Sequence, residues 1–285
     1  MSRLSDISFL RGSLEYPATH DRRIYNALFR IAILAVLTLP SLAAADIITG
    51  TDSGSSHVKV FDGLTGSESS SFFAYSGFTG GVRVGTGDLN GDGFADIITG
   101  AGPGASGGHV KVFDGLTGAQ IRSFFAYPSF TGGVFVSGGD VNGDGFADII
   151  TGTDAGSSHV KVFDGLTGSE IRSFFAYSGF TGGVRVGTGD LNGDGFADII
   201  TGAGPGASGG HVKVFDGLTG AEIRSFFAYP SFAGGVFVAG SNAAVPQTVP
   251  EPTSAVLLML GGLALAISRL WQAGRRTDGG AGHYT

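Results

Sequence analysis

Hydrophobic and polar positions alternate in short runs through the middle of the chain. VRV, VKVF and VFV alternate as half-buried strands do, and ADIITG and SFFAY are rich in β-branched or aromatic residues. Gly, Ser, Asp or Pro bounds each run, as tight turns between strands require. No segment between residues 46 and 240 has a convincing helical period. The pattern therefore predicts an all-β region of short strands.

These strands recur in a unit of about 50 residues. The string HVKVFDGLTG occurs four times, starting at His57, His109, His159 and His211. The string NGDGFADIITG occurs three times, starting at Asn90, Asn142 and Asn192. Odd and even copies differ in detail, so the larger duplication is a pair of units. Each unit holds four strand-like stretches, GGVRVGTG, ADIITG, HVKVFDG and SFFAY, which is the size of a propeller blade.

The repeat region begins and ends inside a unit. It starts at Asp46 with the second strand and stops at Gly240 with the first strand. A ring that pairs the last strand with the first would use every piece and leave no sheet edge. We therefore predict a β-propeller of four blades, the fourth closed by the N- and C-terminal strands. Half of an eight-bladed dimer and an open β-repeat arc are alternatives, whereas a β-solenoid has much shorter turns.

Composition agrees with this architecture and excludes several functions. The 52 Gly suit many tight turns, and the 23 Phe can fill a core. The absence of Cys excludes disulfides, thiol catalysis and Cys-ligated zinc. Residues 46–240 hold 19 acidic and 9 basic residues, so nucleic-acid binding is disfavoured.

The acidic residues cluster in three loops of nine residues. DLNGDGFAD occupies residues 88–96 and 190–198, and DVNGDGFAD occupies residues 140–148. Oxygen-bearing side chains stand at alternate positions, a Gly permits the sharp turn, and the Phe carbonyl and the last Asp add two more oxygens. Calcium takes six to eight oxygen ligands, so we predict about three Ca²⁺ per chain. The predicted ligands are Asp88, Asn90, Asp92, Phe94 and Asp96; Asp140, Asn142, Asp144, Phe146 and Asp148; and Asp190, Asn192, Asp194, Phe196 and Asp198.

The spacing begins like an EF-hand loop and then departs from it. No Glu stands at position 12, where the three loops have Thr99, Thr151 and Thr201, and no helices flank the loops. A compact loop of this kind between β-strands is similar to the calcium loops of FG-GAP repeats in integrin α-subunit propellers. The resemblance covers residues 46–240 and implies that the Asp and Asn residues above are ligands. The alternative is plain turn chemistry, because Asn, Asp and Gly also favour tight turns.

The N-terminal segment is typical of an export signal. Arg22, Arg23 and Arg30 precede the apolar run IAILAVLTLPSLAAA, which ends in small residues. We predict a signal peptide with a long leader over residues 1–45. A membrane anchor is the alternative, but the run is short for a span and contains Pro40.

The C-terminal segment has three parts in order: a Pro-Glu-Pro motif, an apolar stretch and arginines. It resembles the PEP-CTERM sorting signal, carried by Pro250, Glu251, Pro252, Arg275 and Arg276. The resemblance implies recognition by an exosortase-type transpeptidase and delivery to the surface or matrix of a Gram-negative bacterium, with transient inner-membrane anchoring. We assign a linker to residues 241–252, the apolar sorting helix with its arginine end to 253–276, and a tail to 277–285. A simple membrane anchor is the alternative.

Other recurring residues are interpreted as structural. The histidine that starts each HVKVF string is expected to pack or to shape a turn, and the Phe-Phe pairs to fill the space between blades. The aspartates of the FDG strings are expected to shape turns; they are Asp62, Asp114, Asp164 and Asp216.

Together these features predict a calcium-binding exported repeat protein that is a structural or adhesive component of the bacterial cell surface or extracellular matrix. Expected partners are the sorting transpeptidase and extracellular polysaccharide or surface proteins. We expect no nucleic acid, and contact with the membrane only through the C-terminal helix before processing. No catalytic constellation stands apart from the repeats, so we expect no enzyme. A lectin-like module that binds glycan or protein is the alternative, and a secreted hydrolase comes third.

Overall fold

A computed structural model describes residues 45–240 of the chain. The signal peptide and leader up to residue 44 lie outside the described residues. So do the linker, the sorting helix and the tail, with Pro250, Glu251, Pro252, Arg275 and Arg276. Within residues 45–240 there is no helix that could cross a membrane.

Fifteen strands form four antiparallel sheets in the described part of the chain. Blade 1 contains β1 (Ile47–Gly50), β2 (His57–Phe61) and β3 (Glu68–Phe73). Blade 2 contains β4 (Val82–Gly87), β5 (Asp96–Ala101), β6 (His109–Phe113) and β7 (Gln120–Phe125). Blade 3 contains β8 (Val134–Gly139), β9 (Asp148–Thr153), β10 (His159–Phe163) and β11 (Glu170–Phe175). Blade 4 contains β12 (Val184–Gly189), β13 (Asp198–Ala203), β14 (His211–Phe215) and β15 (Glu222–Phe227).

Each sheet is a meander in chain order, as blades of a propeller are. The predicted all-β architecture of four blade-like sheets is confirmed. The fourth strand of each full blade starts earlier than predicted, for example at Gln120, and ends before the Ala-Tyr pair. A register shift at the end of the third strand, between Val112 and Phe113, accompanies this strand. The Tyr that follows it leaves the sheet and packs against the next blade.

Glycine lets the inner strands of neighbouring blades approach closely. A Cβ at Gly100, in the second strand of blade 2, would lie 2.5 Å from the carbonyl oxygen of Val134 in blade 3. Gly152 has the same relation to Val184, also at 2.5 Å. Since real Cβ atoms do not come so close, only Gly allows this packing at these positions.

Aromatic side chains fill the space between blades. Phe72, Phe124 and Phe174 each pack on the Phe that ends the third strand of the next blade, with ring centroids 4.7 Å apart. The second Phe of each pair is instead more than half exposed and packs on the histidine of its own blade, as Phe175 does on His159. The Phe-Phe prediction therefore holds for the first member alone. His159 also contacts Ser173 at 2.7 Å, which is the packing role expected for it.

A tyrosine hydroxyl bridges each blade to the next one. The Tyr177 hydroxyl lies 2.9 Å from the carbonyl oxygens of Thr201 and His211, which belong to the second and third strands of blade 4. Tyr75 and Tyr127 make the same contacts with blades 2 and 3. Burial raises the pKa of the Tyr177 hydroxyl to about 12. These contacts join blades that are separate hydrogen-bonded sheets.

The predicted pairing of the last strand with the first is not formed. Blade 1 stays three-stranded, and residues 234–240 pair with no strand in the described part of the chain. They lie instead on blade 4, where the Val236 amide donates to the carbonyl of Ala203 at 3.0 Å. Strand β1 is mostly exposed, whereas β5, β9 and β13 are buried. The described residues therefore match the open-arc alternative, because no strand pairing joins the two ends of the array.

Candidate metal centres

The three acidic loops connect the first and second strands of blades 2, 3 and 4. In the first loop, Asp88 accepts hydrogen bonds from the amides of Gly91 and Gly93, at 2.7 and 2.9 Å. Both glycines have positive φ, 76° and 86°, a conformation that other residues rarely adopt. The sequence thus folds this loop around its first carboxylate.

The last aspartate of each loop is buried at the start of the second strand. Asp148 accepts from the amide of Val141 in its own loop at 3.0 Å. Its other oxygen accepts from the amide of Gly165, in the turn between the third and fourth strands, at 2.9 Å. Asp96 and Asp198 make the equivalent bonds. This carboxylate therefore joins two turns at the same end of a blade.

The aspartate of the FDG turn also faces the acidic loop. One oxygen of Asp164 accepts from the amide and the hydroxyl of Thr167, at 2.6 and 2.8 Å, which is the expected turn role. The other oxygen lies 3.1 Å from the amide nitrogen of Asn142. Oxygens of Asp144, Asp148 and Asp164 lie within 4.8 Å of one another. The sequence by itself indicated only a turn role for Asp164. Its fixed position after the third strand of each unit could have indicated that it lies near the acidic loop.

The asparagine contacts recur in the other two loops, whereas among the described residues only blade 3 brings three carboxylates within 4.8 Å of one another. The Asn90 amide nitrogen lies 2.9 Å from Asp114 and 3.2 Å from Asp92. The Asn192 amide nitrogen lies 2.9 Å from Asp194 and 3.0 Å from Asp216. In each loop the third, fifth and FDG residues thus come together, while the first Asp is engaged with loop amides. Asp62 in blade 1 keeps the turn bonds to Thr65 but faces no such loop within residues 45–240.

The electrostatics of the site favour a cation. The pKa of the Asp148 carboxyl is raised to about 6, mainly by burial. The neighbouring charges of Asp144 and Asp164 contribute to this rise, and the hydrogen bonds from two backbone amides oppose it. Burial likewise raises the pKa of Asp96. In contrast, the hydrogen bonds from Thr167 lower the pKa of Asp164. Carboxylates held this close repel one another unless a positive charge lies among them.

The three loops stand in a row and contact one another. The amide of Ala147 donates to the carbonyl oxygen of Asp88 at 2.7 Å, and Ala197 does the same to Asp140. The ring of Phe146 lies against Gly91 of the preceding loop. Phe94 has no such loop before it among the described residues and is half exposed. Neighbouring sites are therefore joined along one end of the arc.

Fold and loops together define a class: a propeller-type repeat protein with acidic loops between the first and second strands. Comparison with known families agrees. Residues 80–113 match the FG-GAP repeat, and residues 140–201 match the FG-GAP-like repeat. No curated protein matches the chain.

Solved structures resemble the chain only distantly. The computationally designed Ika8 protein has 22% identity and a TM-score of 0.41, over 68% of this chain and 48% of that one. A chain of the mitotic checkpoint complex has 13% identity and a TM-score of 0.45, over 65% and 50%. The Dos1 propeller has 15% identity and a TM-score of 0.42, over 66% and 45%. The chain thus spans about half the length of these structures.

Proposed function

We propose that this chain is an exported repeat protein whose three acidic loops bind calcium, and that it acts as a structural or adhesive component of a bacterial surface or extracellular matrix. The observation that carries the proposal is the carboxylate cluster of Asp144, Asp148 and Asp164. These side chains come from two different turns and converge. The nearby Arg122 lowers the pKa of Asp164, but it donates to the carbonyl oxygen of Gly165 at 2.6 Å and forms no ion pair with the three carboxylates among residues 45–240.

The donor set suits calcium. The candidate ligands are oxygens, and calcium prefers carboxylate, amide and carbonyl oxygens. Each carboxylate oxygen that accepts one amide hydrogen keeps a further lone pair, so the hydrogen bonds of Asp140 and Asp148 do not preclude ligation. In blade 3 we assign the ion to Asp140, Asn142, Asp144, Asp148 and the carbonyl of Phe146, with Asp164 added. The side-chain Nδ2 of Asn142 faces Asp144 and Asp164, so ligation by Asn142 requires its amide to turn its oxygen towards the ion. Bound calcium would supply the positive charge that holds the two turns together.

The exported role rests on the repeats and on the sequence signals. FG-GAP repeats are typical of extracellular proteins and are generally non-catalytic. The predicted signal peptide and PEP-CTERM-like tail point to the same compartment and to an exosortase-type partner. Near-identical blades present the same surface several times, which suits multivalent contact with extracellular polysaccharide or surface proteins.

The calcium part is tested on the full chain by thermal unfolding with calcium and with excess chelator, and by calorimetric titration. A ligand at a hundredfold excess over its dissociation constant stabilises the folded state by about 2.7 kcal/mol. We expect a large upward shift of Tm and about three ions per chain, by the count of complete loops. No shift and no bound ion would leave the loops as turns.

The surface role needs its own measurement. Cells that lack the protein should show reduced surface attachment or matrix cohesion, restored by the wild-type gene. Binding of the purified chain to defined glycans on an array would instead favour the lectin-like alternative. A cytoplasmic location of the protein in fractionated cells would overturn the exported role and leave the calcium result standing.

A further inference from the structure

The two ends of the blade array carry surfaces that match each other. Tyr229 in blade 4 is 58% exposed, whereas Tyr177, its counterpart in blade 3, is 6% exposed. At the other end, Ile47 of β1 is 53% exposed, whereas Ile149 of β9 is fully buried. Inside the array these two surfaces cover each other at every joint between blades. At each end of the array, one of these two surfaces is present without the other surface to cover it.

Residues 236–240 form part of the uncovered surface at the C-terminal end of the array. A Cβ at Gly202 would lie 2.5 Å from the carbonyl of Val236, so the segment is seated on blade 4 as a first strand is seated inside the array. Its Phe237 is 78% exposed, while the equivalent Phe135 is 9% exposed. The segment is a first strand that lacks a second strand. Blade 1 has the second strand, β1, and lacks the first.

An unpaired arginine identifies the missing contact. Arg83 of blade 2 donates to Asp154 of blade 3 at 2.9 Å. Arg185 is the equivalent of Arg83 in blade 4, held between Phe135 and Phe237 with its Cζ 5.1 Å from each ring centroid. Its Nε and Nη1 are buried without a hydrogen-bond partner among the described residues. The equivalent of Asp154 at the start of the array is Asp52, whose side chain is 94% exposed and lies 3.5 Å from the Arg83 guanidinium of blade 2 on one side only.

We propose that a second copy of this chain continues the array, with β1 of one copy pairing with residues 236–240 of the other. By the register of β8 on β9, Val236 would lie opposite Thr51 and Phe237 opposite Gly50. Asp52 of the second copy would pair with Arg185, and the Tyr229 hydroxyl would bond to its Thr49 and His57 carbonyls. Two such seams close an eight-bladed ring of two copies. The joint is heterologous, because two different surfaces meet.

The observations favour a second copy over closure by the chain's own blade 1. Both surfaces are fully formed in one chain and remain apart, so the chain does not bring its own ends together. The joint itself is already made three times between blades, and those joints use the Phe, Tyr and Gly contacts described above. A second copy therefore offers a surface of known complementarity.

A charge exchange tests the proposal on the full chain by analytical ultracentrifugation. Wild-type protein should sediment as a dimer. Each single variant, Asp52→Arg or Arg185→Asp, should raise the dissociation constant of the dimer at least about 100-fold, because like charges then face each other at both seams. A 1:1 mixture of the two variants should restore the dimer. In the mixed dimer one seam has the native pair and the other has the reversed pair.

A second variant guards against misfolding of Arg185→Asp. Tyr229→Glu changes a side chain that is already exposed, so the folded chain should persist by circular dichroism while the dimer is lost. Phe175→Glu is the matched control, because Phe175 is 62% exposed and lies away from the seam; it should leave the dimer intact. A monomeric wild type would overturn the proposal. Closure of the chain by its own blade 1 would give this monomeric result, because no seam between copies would remain.

Discussion

Asp164 closes its own turn and faces the acidic loop with its second oxygen. The first oxygen is occupied by Thr167, so the side chain is held in place whether or not an ion is present. Because the side chain is already ordered, little conformational entropy is lost when calcium binds, which favours affinity. The four FDG aspartates share the turn chemistry, but three of them also face an acidic loop.

At the residue scale we predict that Asp164→Asn weakens calcium binding at one site by about tenfold or more, which corresponds to about 1.4 kcal/mol. The amide keeps an acceptor for Thr167 and removes one negative charge from the cluster. Calorimetric titration should show one of the three sites weakened. Asp62→Asn is the matched control, because Asp62 has the turn bonds without the loop. Equal effects of the two substitutions would reduce Asp164 to a turn residue.

At the scale of elements, the blades are separate sheets joined by side chains. The Tyr177 hydroxyl reaches two strands of blade 4, and the first Phe of each pair fills the joint beside it. Glycines at Gly100 and Gly152 let the inner strands approach. The joint between blades therefore depends on a few positions that recur in each unit.

We predict that Tyr177→Phe lowers the free energy of unfolding by about 1–3 kcal/mol, because buried carbonyl oxygens lose their donor. Tyr229→Phe, measured at a concentration where the protein is monomeric, should change it by less than about 0.5 kcal/mol. Chemical denaturation at neutral pH is the measurement. A cost at Tyr229 equal to that at Tyr177 in the monomer would contradict the bridging role.

The same hydroxyl predicts a loss of stability in alkali. The folded chain holds the Tyr177 proton with a pKa of about 12, while the unfolded chain releases it near the ordinary value of about 10. A folded pKa above the unfolded one gives stability that is complete below about pH 10 and is lost as pH rises from there towards 12. Tm should therefore fall over this range, and Tyr177→Phe should make the fall less steep. An unchanged slope in the variant would contradict this assignment.

At the scale of the whole molecule, the described chain is an arc with two uncovered ends. Contiguous exposed apolar surface on a folded protein often marks an interaction site. Here each uncovered surface has a covered counterpart inside the array, so its complement is known. The row of acidic loops runs along the same arc, so continuation of the array would also extend the row of sites.

If two copies associate, the Tm of the wild-type chain should rise with protein concentration, because association stabilises the folded state by mass action. The Tm of Tyr229→Glu should not depend on concentration. Differential scanning calorimetry over a hundredfold range of concentration is the measurement. A constant Tm for both proteins would argue against association of two copies.

The sequence by itself determined the strands, the repeat unit and the acidic loops. These features depend on neighbours within a few residues: alternation in VKVF, glycines at the turns, and carboxylates spaced along DLNGDGFAD. It could not determine that Asp114 meets Asn90 or that Tyr177 reaches Thr201, because each pair is 24 residues apart and is joined only by packing.

The tertiary structure also decided how the array ends. The sequence favoured a closed ring of four blades, because the incomplete repeat units at the two ends of residues 46–240 together make one complete unit. Whether complementary strands meet depends on the curvature set by the packing of each blade on the next, which no local pattern encodes. Among residues 45–240, two buried nitrogens of Arg185 lack a hydrogen-bond partner, and the Asp52 side chain is 94% exposed. Local chemistry therefore determined the blade and its candidate sites, while packing between blades determined the open arc and the surfaces that it presents.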